Sequence, residues 1–100
     1  MTHDTKLETA GLDTRRRKLV FRCWHRGTRE MDLLLGRYVD AHAATMDDAD
    51  VVALEYLLEA PDPELFGWLS GGKPVPPNYD TPMLHSIRAF HENNPVSQAF

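Results

Sequence analysis

Cysteine occurs once in this chain, at Cys23, so no intrachain disulfide can form and no Cys-x-x-Cys or Cys/His spacing for zinc exists. A lone thiol fits a reducing compartment. Long apolar runs are also missing: nothing approaches the roughly 20 residues that span a bilayer. The first fourteen residues hold Asp4, Glu8 and Asp13 and no apolar core, and read as neither a secretory signal nor a transit peptide. A bacterial cytoplasm is the expected home, and a mature organellar matrix protein would fit as well. The five histidines, His3, His25, His42, His85 and His91, form no H-E-x-x-H and pair with no nucleophile motif. No pair of carboxylates is singled out for acid/base work, and Gly71-Gly72-Lys73 lacks the rest of a phosphate loop. No catalytic residue and no metal ligand is therefore expected, and an enzyme is the least favoured reading.

Strand-like alternation is absent, while helical periodicity recurs. Leu19, Val20, Cys23 and Trp24 share one face of a first helix, and Met31, Leu34, Leu35, Tyr38 and Val39 follow the i, i+3, i+4, i+7 rule of a second. Thr45-Met46-Asp47-Asp48 has the capping-box form for a third, with Val51, Leu54, Leu57 and Leu58 as its apolar face. Asp62-Pro63 supplies a cap and a first-turn proline for a short fourth helix, dense in Leu65, Phe66, Trp68 and Leu69 and stopped by Gly71-Gly72. Phe66 and Trp68 are both expected in the core. Thr81-Pro82 repeats the signal for a last helix. The pattern predicts an all-α, compact single-domain bundle of about five short helices over residues 14–92, with loose tails at 1–13 and 93–100.

The charges are segregated. Seven of the eleven Lys and Arg residues fall between Arg15 and Arg29 with no carboxylate among them. From Glu30 to Leu69 the sign reverses, with ten carboxylates against one base, Arg37. Between the two lies Arg26-Gly27-Thr28-Arg29-Glu30. A plain helix–helix turn would use Gly27 as N-cap and Glu30 at the third helical position. It would also leave two arginines at a helix N-terminus, against the dipole. Frustration of that kind is relieved by a partner, so a turn and a docking surface both remain open. The basic run, with Phe21 and Trp24 interleaved, raises an alternative: a small nucleic-acid-binding or regulatory module using Arg15 to Arg29. An acidic neighbouring segment and a net charge of -4 argue against it.

His25-Arg26-Gly27-Thr28-Arg29-Glu30 resembles the R-G-x-x-E signature of the succinate dehydrogenase flavin assembly factors, the SdhE-like family. Pro61-Asp62-Pro63-Glu64-Leu65-Phe66-Gly67-Trp68-Leu69 is similar to that family's D-P-D/E-L-F-x-W-L segment, and Gly72-Lys73-Pro74 matches the G-K-P after it. Order and spacing agree over roughly Lys18 to Phe90. The resemblance implies a helical, non-redox assembly factor that binds the flavoprotein subunit of succinate dehydrogenase, or of fumarate reductase. There it would promote covalent attachment of FAD between a histidine and the flavin 8α-methyl carbon. It implies partner-binding roles for Arg26, Gly27, Thr28, Arg29 and Glu30, with Arg26 and Glu30 either bonding across the interface or holding the loop's shape. The FAD would belong to the client, with none bound tightly by this chain, which would be a monomer when free. His25 and Thr28 depart from some relatives, which carry Arg and Met there, so the loss of an apolar contact is expected at Thr28.

Overall fold

The computed structural model describes residues 11–93. Five α-helices follow in order: α1 (Thr14–Trp24), α2 (Arg29–His42), α3 (Asp48–Leu57), α4 (Asp62–Ser70) and α5 (Pro82–Asn93). A 3-10 turn, Pro77–Tyr79, precedes α5. No strand occurs among the described residues, and the expected all-α bundle is the fold. The expected tails fall mostly outside the described residues. Within the N-terminal one, Leu12 is buried in the core and Asp13 caps α1, its side chain accepting from Arg16 N at 2.9 Å.

Three cap positions differ from expectation, each for a local reason. Helix α3 is capped by Asp47, which accepts from Asp50 N, rather than by Thr45, whose hydroxyl donates to His42 O at the end of α2. Helix α4 has Pro61 at its N-cap and Asp62 as its first residue. The Asp62 carboxylate does not cap because a guanidinium from elsewhere takes it. Helix α2 is capped by Thr28 rather than Gly27, with the Thr28 hydroxyl accepting from Met31 N at 3.2 Å. A side-chain oxygen satisfies an orphan donor that glycine cannot. Pro82 does begin α5, where Leu84 N donates to Thr81 Oγ1 at 3.3 Å. Gly71 ends α4 with φ 82°, the left-handed cap that glycine adopts without strain.

All five helices contribute to one apolar core. Its fully buried members include Leu19, Leu35, Leu54, Leu65 and Ile87. Each such side chain contributes about 1.5–3 kcal/mol of transfer free energy. The most extensive packing is between α1 and α2. It is set by Trp24, whose ring lies against Gly36: a Cβ there would stand 2.2 Å from Trp24 Cδ2. The indole Nε1 donates to Asp40 Oδ1 at 3.1 Å, so the ring is fixed at both ends. This pair holds α1 and α2 as a hairpin and thereby fixes the turn between them.

The proline-rich segment after α4 is pinned by aromatic packing. Tyr79 stacks on Tyr56 at 4.9 Å and leans on Trp68 at 4.8 Å. Lys73 lays its stem over Gly67, where a Cβ would come within 2.6 Å of Lys73 Cδ, and its Nζ pairs with Glu64 at 3.1 Å. The Gly72-Lys73-Pro74 segment and Trp68 are thus scaffold.

Candidate functional site

Four residues, 25–28, join α1 to α2. Gly27 lies at φ 111°, a backbone region that side chains with a Cβ enter only under strain. Nothing stands within 4 Å of the place its Cβ would occupy. The backbone therefore demands glycine here, while the outer face of the residue is open. The turn closes on its inner side: Arg26 N donates to Asp32 Oδ1 at 2.6 Å. Glu30 is the second residue of α2 and exposed, so the expected reciprocal cap at the third position is not made; Asp32 engages the turn instead.

Arg26 points inward. Its side chain is only 13% exposed, and that of its partner Asp62 is 23% exposed. The guanidinium donates to Asp62 Oδ1 from Nε at 2.9 Å and from Nη2 at 2.6 Å. Nη1 also donates to Leu58 O at 3.1 Å, and Nη2 to Ala60 O at 3.3 Å. Leu58 is the C-cap of α3, and Asp62 opens α4. A cation thus sits at one helix C-terminus and a carboxylate at the next N-terminus, each favoured by the helix dipole. All four hydrogen bonds of the guanidinium run within this chain and brace the turn. Gly27, Thr28, Arg29 and Glu30 are all exposed, and Glu30 makes no ion pair among the described residues.

Beside the turn lies an open cleft of about 440 Å³, lined by Thr28, Glu30, Met31, Asp62, Pro63 and Phe66. Its surface is mainly apolar. Phe66 was expected in the core but is 40% exposed. Leu65, Trp68 and Leu69 occupy the buried arc of the nine-residue α4, and Phe66 falls at its margin. Among the sequence-derived candidates, Thr28 and Glu30 meet at this cleft. The fold adds Met31, Pro63 and Phe66. A helical-wheel reading of α4 carried the signal for Phe66, since four large apolar residues exceed the face that so short a helix can bury. A further exposed aromatic, Phe21 at 60%, stacks on His25 at 3.9 Å just before the turn.

The basic helix α1 is opposed by acidic α3 and the segment after it. Arg15 pairs with Glu55 at 2.6 Å, Arg16 with Asp48 at 3.0 Å and with Asp13, and Arg22 with Glu59 at 3.2 Å. The hydrogen bond from Arg15 holds the Glu55 carboxyl below its usual range, and Glu55 in turn raises Arg15. Exposed pairs of this kind contribute little stability, about 0–1 kcal/mol each. They do decide the electrostatics: carboxylates lie against the face that a nucleic-acid reader would need unopposed. Cys23 is fully buried, and burial pushes its thiol up to about 12. His42 Nδ1 bonds to Tyr38 O and His91 Nε2 to Leu34 O. Among the described residues no three His, Cys, Asp or Glu side chains gather as a metal site, and no helix is long and apolar enough to cross a membrane.

Comparison with known proteins gives a consistent set of relatives. The family described as "Flavinator of succinate dehydrogenase" matches residues 17–91. An Acetobacter pasteurianus protein named FAD assembly factor SdhE is 51% identical over 76 residues, covering 76% of this chain and 70% of that protein. The mitochondrial succinate dehydrogenase assembly factor 2 of Dictyostelium discoideum is 28% identical, covering 89% of this chain and 63% of that one. Assembly factor 2-B of Drosophila persimilis is 31% identical, covering 82% and 54%. The chain thus spans between about half and two thirds of the length of these mitochondrial relatives, 54% and 63%. No solved structure gives a significant match.

Proposed function

Since the chain belongs to the family of flavinators of succinate dehydrogenase, we propose that it is an assembly factor that docks on the flavoprotein subunit of that enzyme and promotes covalent attachment of FAD to it. The observation that carries this reading is the turn between α1 and α2: braced from beneath by Arg26 and Asp62, and open outward at Gly27, Thr28, Arg29 and Glu30. A rigid exposed loop with no Cβ at its apex allows another protein's backbone to come close.

The role is one of positioning. Holding two reacting groups in line replaces a large share of a barrier without any group from the helper entering the reaction. In this reading the flavin and the histidine that receives it both belong to the client, and this chain holds the client's parts in register. It binds no FAD tightly by itself and catalyses nothing alone. The flavoprotein subunit of fumarate reductase is a second client of the same chemistry. The free factor is a monomer and works in a bacterial cytoplasm; the Acetobacter relative favours a bacterial setting.

The test is flavin fluorescence retained on the denatured flavoprotein subunit after incubation with FAD, with and without this protein. Faster labelling in its presence, lost with Glu30→Ala in a variant that stays folded, is the expected result. Equal labelling in both arms would remove the proposal.

A further inference from the structure

We propose that the cleft beside the turn is a specificity pocket. It takes one bulky apolar side chain of the flavoprotein subunit, on a segment that carries Arg or Lys next to it. This rests on the docking role above and adds the chemistry of the segment that is recognised.

Three observations select that occupant. Met31, Pro63 and Phe66 give the cleft apolar walls, and Phe66 keeps 40% of its surface exposed although it borders a core. A half-exposed aromatic beside a cleft is the kind of anchor on which binding energy concentrates. The volume, about 440 Å³, lies toward the low end of the roughly 300–1,000 Å³ of ligand clefts, a fit for one large side chain and its flanks. The charge on the rim sets the sign of the neighbour. Asp62 already holds Arg26, whereas Glu30 is exposed and makes no ion pair among the described residues. Nearby Glu64 is paired with Lys73. One unanswered carboxylate at the lip favours a base on the incoming segment and repels an acid. The same carboxylate disfavours the pyrophosphate of a dinucleotide, so FAD itself is a poor occupant of this cleft.

The experiment measures binding of the FAD-loaded, not yet covalently modified flavoprotein subunit to wild type, Phe66→Ala and Glu30→Gln, at low and high salt. Circular dichroism checks that both variants fold. Phe66→Ala should weaken binding about tenfold or more at both salts. Glu30→Gln should weaken it several-fold at low salt, roughly, with the difference closing at high salt as the ion pair is screened. A purely structural role for Phe66 or Glu30 would not divide the two variants by salt in this way. Wild-type affinity in Phe66→Ala, with Gly27→Arg still blocking binding, overturns the pocket and leaves the docking role standing. Absence of binding by wild type overturns both. As a measurement needing no variant, N-acetyl-phenylalanyl-arginine amide should shift the Met31 methyl signal, and N-acetyl-phenylalanyl-glutamate amide should do so less. Equal response to the two, or to neither, refutes the assigned chemistry. So does a shift produced by FAD alone, or a dimer in sedimentation that Phe66→Ala dissolves.

Discussion

Replacing Arg26 by Ala removes four hydrogen bonds at once: two to Asp62 and one each to the carbonyls of Leu58 and Ala60. The carboxylate of Asp62 stays behind, largely covered at 23% exposure, without its cation. Breaking a fully buried pair from one side costs about 3–5 kcal/mol, and an exposed pair about 0–1. This pair lies nearer the buried end, but water can reach the freed carbonyls in part. A loss of about 2–4 kcal/mol follows, which for a domain of this size lowers the melting temperature by roughly 10–20 °C. Asp62→Asn keeps an acceptor and should cost less, about 1–2 kcal/mol. The double variant should show a coupling of about 1–2 kcal/mol between the two positions. Thermal and urea unfolding followed by circular dichroism give all four corners of the cycle. Flavinylation is then measured well below each melting temperature. Should Arg26→Ala melt within a few degrees of wild type yet fail to support flavinylation, the bracing role is wrong and the guanidinium touches the client.

Gly27→Ala and Gly27→Arg should destabilise the domain equally, by about 1–3 kcal/mol, because both meet the backbone strain at φ 111° and neither meets an internal neighbour. Flavinylation should then separate them, with Arg the worse, and equal activity would argue against close approach at that face. Gly36→Ala should cost about 1–3 kcal/mol by forcing the Trp24 ring off α2, seen as a change in indole fluorescence; an unchanged spectrum and melting temperature would contradict the packing. Cys23 should resist iodoacetamide in the native protein and react on unfolding, since its thiol is buried and raised to about 12; rapid native labelling would refute this. Asp13 and Glu55 are held below their ordinary values of 3.8 and 4.5, Asp13 chiefly by the backbone N–H of Arg16 and Glu55 by the Arg15 side chain. A carboxyl lowered in the folded state stabilises above its unfolded value and loses that effect as pH falls through the folded one. The melting temperature should therefore decline once pH drops below those ordinary values. Asp13→Asn, which keeps the cap, should make the decline shallower, and an unaltered slope would count against it.

The fold was legible because its signals are local. The apolar spacing in Met31, Leu35 and Val39 names a buried face, and Thr81-Pro82 and Gly71 mark ends by backbone chemistry that needs no distant partner. What escaped depends on residues far apart in the chain. Asp62 reads as a cap, yet Arg26, 36 positions earlier, draws its carboxylate away. Thr45 and Asp47 compete as caps within three residues, and the carbonyl of His42 decides between them. Of the site, the turn was visible as a Gly among charges. The cleft was not, because it forms only when Phe66 and Pro63 of α4 come beside Thr28 and Met31. Which arginines face outward was likewise hidden, since that depends on which acidic helix packs against α1.

The guanidinium of Arg26 ties the loop before α2 to the carbonyls of Leu58 and Ala60, just past α3, and to the first residue of α4. Segments remote in sequence are thereby locked at fixed separation before any encounter. Little conformational freedom remains to be surrendered when a client arrives, so more of the contact energy survives as affinity. A push on the loop is also felt at α4. The first turn of α4, which the same guanidinium holds, also supplies Asp62 and Pro63 to the cleft, so the loop and one wall of the cleft share a single brace.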